Sequence, residues 1–278
     1  MDILIGILVF LICMGIPYLF LFYFTSYRKN IKDASGLIRK GLYNEALIPL
    51  DKCLKKYPKD ATAIYLRSLA LVNLNKLENI EETAKTLINN KPFDRKGYIL
   101  LISLYEKTDN YSMMVNVAED LLKIENYKFD GLLARSSAYI ELGKYEYALK
   151  DQQEMLKIKP DSDVVYNSLG YIELKIGNYD KAIDYFEKSI KLNHKNPYAY
   201  NNMALACGYN GEYEKAFKYF DISDELDPDN SFLYLHTGIV FYLMGDNWNA
   251  NKNLNIAVEM DVKHEEEVSK YLKKIYNK

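Results

Sequence analysis

The 278-residue sequence is poor in cysteine, proline, glycine and excess charge of either sign. Its three cysteines, Cys13, Cys53 and Cys207, lie far apart, so no pair has redox or metal-ligand spacing. That argues against a disulfide framework and against a zinc site. Seven prolines and 13 glycines are too few for a disordered chain or a loop-rich all-β fold. A formal net charge of −2 lacks the basic footprint of a nucleic-acid binder. Glycine-rich phosphate loops, nucleophile elbows and metal-spaced His or Cys pairs are also missing. The expectation is a chain that is not an enzyme, with no catalytic residue, cofactor, metal or small-molecule substrate. Hydrophobic residues, by contrast, make up 49% of the chain, enough for a sizeable core.

The apolar material begins at once. Ile3 to Phe24 contains no charged side chain, and its 22 positions would form a helix of roughly 33 Å, enough to cross a hydrocarbon core. A cleaved signal peptide is disfavoured on three grounds. Asp2 stands where Lys or Arg is expected, the run is long, and no small-x-small site follows, the first alanine being Ala34. Ile12 before Cys13 argues against a lipoprotein site. Tyr18, Tyr23 and Tyr27 suit an interfacial belt. Arg28, Lys29 and Lys32 follow the run directly, and the positive-inside rule then places everything after residue 27 in the cytoplasm. Residues 1–26 are therefore expected to be a transmembrane anchor of a single-pass protein.

From Tyr27 onward the chain repeats every 34 residues, with repeats starting at Tyr27, Ala61, Arg95, Phe129, Asp163, Pro197 and Ser231. Position 8 is small in all but one repeat, running Ala34, Ser68, Ile102, Ser136, Gly170, Ala204, Gly238. Position 15 is Gly41, Asn75, Asp109, Gly143, Gly177, Gly211, Gly245, residue types that tolerate the left-handed conformation ending a helix. A second helix is expected two or three residues later. Position 20 is Ala46, Ile80, Met114, Ala148, Ala182, Ala216, Ala250; together with position 8 it lets two helices approach closely. Prolines 58, 92, 160 and 228 recur at position 32 and close the second helix. Asp60, Asp94, Ser162, Asn196 and Asn230 at position 34 are N-caps for the next repeat. Pro49 falls inside the second helix of the first repeat, where it removes a hydrogen bond. His194 and His264 sit at repeat junctions, where a solvated or capping role is expected.

This pattern resembles the tetratricopeptide repeat family, most strongly in YNSLGYIELKIGNYDKAIDYFEKSIKLN, residues 166–193. The resemblance implies an all-α, right-handed α-solenoid of seven helix–turn–helix repeats over 27–264. Residues 265–278 then form a polar C-terminal capping helix. It also implies that first helices line a concave groove through positions 2, 5, 9, 12 and 13. On that basis the candidate protein-binding residues are Asn167, Tyr171, Tyr198, Asn201, Asn202, Leu205, Tyr209, Phe232, His236 and Tyr242. Asparagine amides offer donor and acceptor to an extended backbone, and tyrosines supply rigid apolar area with a polar tip. The family's carboxylate clamp for chaperone tails needs lysine at position 5. Here that column reads Ile31, Tyr65, Ile99, Leu133, Asn167, Asn201, Leu235, so chaperone-tail docking is not expected.

The function expected is a membrane-anchored scaffold or adaptor that binds a peptide or helix of a protein partner. Two alternatives stay open. One is a secretion or envelope-assembly component with its repeats outside the membrane. The other is a regulatory subunit of an enzyme.

Overall fold

The computed structural model describes residues 27–276. The expected membrane anchor, residues 1–26, lies outside the described residues. Among the described residues every regular element is helical, and no helix is long and apolar enough to cross a membrane.

The chain divides into two compact units, with the division between Ala138 and Tyr139. The first unit holds α1 (27–39), α2 (Tyr43–Lys56), α3 (Ala61–Asn73), α4 (Ile80–Asn90), α5 (Lys96–Lys107) and α6 (Tyr111–Leu122). It ends inside α7 (Lys128–Glu141). The second holds α8 (Tyr145–Ile158), α9 (Asp163–Ile176), α10 (Tyr179–Leu192), α11 (Pro197–Tyr209) and α12 (Tyr213–Leu226), followed by α13 (Ser231–Met244), α14 (Asn247–Met260) and α15 (Glu265–Tyr276).

The helix breaks fall where the local chemistry demands them. Gly41, Asn75, Asp109, Gly143, Gly177, Gly211 and Gly245 all have positive φ, between 54° and 95°. A β-branched residue would be strained there. Asn75 is followed by a second left-handed residue, Asn79, so α4 starts only at Ile80 and runs 11 residues. The gap before it is longer than the two or three residues expected. The caps also form. Asp60 accepts from the Ala63 backbone N–H at 2.7 Å, Asn196 from Tyr198 at 3.1 Å and Asn230 from Phe232 at 3.1 Å. Helix α2 runs through Pro49 from Tyr43 to Lys56 without a break.

In the first unit, Ala46 and Leu50 of α2 are fully buried with Ala34 of α1. Leu100 of α5 and Leu121 of α6 are likewise fully buried in that unit's second cluster. In the second unit the contacts depend on missing side-chain volume. A Cβ on Gly170 would lie 2.6 Å from the Phe186 ring, and one on Gly208 would lie 2.3 Å from Val240. Ala182 and Ala216 are both fully buried. Side-chain contacts repeat at the same interval. Ser189 donates to the Asp163 carbonyl at 2.9 Å, and Ser223, 34 residues on, donates to the Pro197 carbonyl at 3.0 Å. Tyr166 pairs with Tyr185 at 6.3 Å and Tyr200 with Tyr219 at 6.2 Å. Of the solvated or capping roles expected, His194 is exposed, whereas His264 is not solvated. It is buried, meets Ser231 Oγ at 2.9 Å, and stands edge-on to Phe232 at 4.6 Å.

Candidate functional site

In the second unit α9, α11, α13 and α15 surround a hollow of about 600 Å³. Nine of the ten candidate residues line it: Asn167 and Tyr171 from α9; Tyr198, Asn201, Asn202, Leu205 and Tyr209 from α11; Phe232 and His236 from α13. They meet because residues 34 apart occupy equivalent places on successive first helices. Tyr242 does not line it, because Tyr271 of α15 packs edge-on against its ring at 5.4 Å.

The walls are aromatic. Tyr179 and Tyr209 stack at 5.2 Å with planes 7° apart, and the Tyr209 and Tyr271 hydroxyls are 2.9 Å apart. Tyr198 and Phe232 are the accessible ones, at 52% and 45% exposure. Burial pushes the Tyr171 and Tyr209 hydroxyls above the ordinary tyrosine range. Lys175 stands over the Tyr171 ring at 5.4 Å. Burial works against the Lys175 charge, but Tyr171 and Glu267 outweigh it and hold the ammonium above its usual range.

The floor is polar and enclosed. Asn201 is 1% exposed and His236 is 7% exposed. Neither Asn201 Oδ1 nor His236 Nδ1 has a hydrogen-bond partner. Burial first, then the charges of Lys175 and His264, press the His236 pKa down to about 3, so the ring is neutral at physiological pH. Asn201, expected to offer its amide to a peptide backbone, is instead buried where α11 packs against α13. Asn202 is half-buried and donates to Asn167 Oδ1 at 3.3 Å.

Sequence reasoning passed over several lining residues. Leu174, Lys175 and Ile239 line the hollow and sit at groove positions 12, 13 and 9, so the positional rule already reached them. Glu267, which also lines it, lies on α15, beyond the last repeat, where no periodic signal places a side chain. In the first unit a larger cleft of about 870 Å³ lies along the α2–α3 turn and α4. It is edged by Lys59, Asp60, Glu82 and Lys91. No tyrosine or phenylalanine lines it. The hollow in the second unit is therefore the better candidate.

The tetratricopeptide repeat family pattern matches residues 164–196 and again 185–218, the stretch that builds α9 to α12. The chain contains tetratricopeptide repeats. The Psidin N-terminal TPR repeats region matches residues 36–169. Comparison with curated proteins returns no match. Among solved structures, a tetratricopeptide repeat protein from Parabacteroides merdae ATCC 43184 is similar at 18% identity and a TM-score of 0.70, covering 91% of this chain and 99% of its own. The Cut9-Hcn1 hetero-tetramer of the APC/C is similar at 14% identity and a TM-score of 0.70, over 87% of this chain. This chain spans 48% of that one, about half. PilW, a type IV pilus biogenesis factor, is similar at 16% identity and a TM-score of 0.62, over 74% of this chain and 96% of its own. At these identities the likeness is one of fold. Among the described residues no group of His, Cys, Asp and Glu could hold a metal ion in this TPR array.

Proposed function

We propose that this TPR chain is a protein-binding scaffold that holds a peptide segment of its partner in the hollow between α9, α11, α13 and α15. The observation that carries this reading is the make-up of the hollow. Exposed rings of Tyr198 and Phe232 flank a floor that carries the half-buried amides of Asn167 and Asn202. Exposed aromatics beside such a floor are the residue types that dominate interfaces.

The uncharged run Ile3–Phe24 and the basic cluster Arg28, Lys29 and Lys32 support an N-terminal anchor with the repeats on the cytoplasmic side. The 34-residue period supports seven repeats over 27–264, closed by a capping helix from 265. An envelope-assembly role with the repeats outside the membrane is the competing placement, and fold likeness to a pilus biogenesis factor is compatible with it.

The test is to identify a partner by crosslinking and mass spectrometry in intact membranes, then measure its affinity for the parent, Tyr198→Ala and Asn202→Ala. Each variant should melt like the parent. Loss of a ring at an interface centre should weaken binding by about 2 kcal/mol, and loss of the amide by about 0.5–1.5 kcal/mol. Unchanged affinity in both variants would rule out this hollow as the docking site.

A further inference from the structure

The charge of the chain is unevenly spread. Residues 27–60, which hold α1 and α2, carry nine Lys and Arg against four Asp and Glu, although the net charge of the whole is −2. Arg28, Lys29, Lys32, Arg39 and Lys40 follow the uncharged run closely enough to act as topology signals. Lys52, Lys55, Lys56 and Lys59 come 28 or more residues after Phe24, beyond the reach of that rule. Topology therefore does not account for them.

Folding returns this second set to the start of α1. The chain turns at Gly41, and Tyr27 meets Tyr57 edge-on with ring centroids 5.5 Å apart. The Tyr27 hydroxyl donates to Asp60 Oδ2 at 3.0 Å. A hollow of about 400 Å³ lies there, lined by Lys29 and Asn30 from α1, by Lys52 and Lys56 from α2, and by the two tyrosines. No carboxylate lines it. The neighbouring acids are engaged elsewhere: Asp51 pairs with Arg67 at 2.7 Å, and Asp60 also accepts from the Ala63 backbone N–H. Lys29, Lys52, Lys55, Lys56 and Lys59 are all exposed.

We propose that this end of the α1–α2 hairpin is a docking surface for anionic phospholipid headgroups of the membrane that holds the chain. The placement rests on the anchor proposed above. The uncharged run ends three residues before Tyr27, so α1 starts within about 11 Å of its end. That distance puts the lysine-lined hollow at or just outside the headgroup layer. Ammonium groups donate to phosphate oxygens, and each lysine near an anionic surface favours contact by about fivefold. Tyr27 and Tyr57 are the amphipathic type that sits at headgroup level. An acidic protein segment would suit the same lysines, but it would have to displace a surface that the anchor already holds against them.

The test reconstitutes the full-length protein in phosphatidylcholine vesicles, with or without phosphatidylglycerol. Lysines are acylated and read by mass spectrometry, with exposed Lys188 of α10 as the reference in the same molecules. Lys52 and Lys56 should label about fivefold more slowly when phosphatidylglycerol is present. The protection should vanish at about 1 M salt, where screening shortens to about 3 Å. In Lys52→Glu/Lys56→Glu, checked to melt like the parent, Lys55 and Lys59 should lose theirs. Equal labelling in both lipids, with the protein still floating with phosphatidylcholine vesicles, would overturn the docking surface and leave the anchor standing. Failure to float with those vesicles would overturn the anchor and this placement with it. Protection by inorganic phosphate in phosphatidylcholine vesicles, matching that by phosphatidylglycerol, would mean an anion pocket and would also overturn the membrane face.

Discussion

The hydroxyls of Tyr209 and Tyr271 stand 2.9 Å apart, joining α11 to α15 across 62 residues of chain. The contact makes the terminal helix part of the wall of the hollow as well as a cover for α13 and α14. Burial and the bond to Tyr209 hold the Tyr271 hydroxyl far above the usual tyrosine range. Tyr271→Phe should lower stability by about 0.5–1.5 kcal/mol. It should also speed amide hydrogen exchange in α15 before it affects α9 or α10, because repeats are coupled mainly to their neighbours. Unchanged exchange in α15 would show that the hydroxyl pair does not hold the helix.

Close packing inside a repeat gives a second prediction. Ala182 is fully buried, and the Gly170 Cα faces Phe186 with no room for a Cβ. Ala182→Leu and Gly170→Ala should each cost about 1–3 kcal/mol through overpacking, read as a lower denaturant midpoint. An unchanged midpoint for Ala182→Leu would mean that position 20 does not face the partner helix.

The fold was legible because the same steric demand recurs at fixed spacing. Position 15 must turn left-handed, and all its residues do. Position 20 must be compact where helices touch, and Ala148, Ala182, Ala216 and Ala250 are fully buried. The candidate site was legible to the extent that it follows the same rule, which brings Asn167, Tyr198, Asn201 and Phe232 together. What escaped has a physical cause. Burial of Asn201 depends on how closely α13 covers α11, and the family pattern carries no depth information. Glu267 enters the hollow from α15, which follows no repeat, and Tyr271 of the same helix packs against Tyr242, which does not line it.

Buried His236 makes stability depend on pH. Its folded pKa is about 3 against an ordinary 6.5, while the unfolded chain binds the proton normally. The unfolded state thus holds more protons between these values, and stability falls as pH drops through that window. The slope attributable to this one group is about 1.4 kcal/mol per pH unit. Lys175 and His264, the titratable neighbours that act on the ring, both push the same way. Urea unfolding of the parent and His236→Leu at pH 7, 6 and 5 should show the parent losing ground to the variant as pH falls. Parallel curves would contradict a buried neutral ring.

The membrane assignment makes a separate prediction. With Ile3–Phe24 uncharged and Arg28, Lys29 and Lys32 directly after it, the native protein should stay with membranes after alkaline carbonate washing. Its N-terminal residues should still be attached. Recovery of a soluble chain lacking residues 1–24 would refute the anchor.

The most direct test of partner binding in the hollow is site-specific photocrosslinking in living cells. A photoreactive residue placed at Tyr198 or Phe232, both open to the hollow, should capture a protein partner. The same residue at exposed Lys188 on α10 should not. Capture from Lys188 with none from Tyr198 or Phe232 would place the partner on the outer helices and contradict the account.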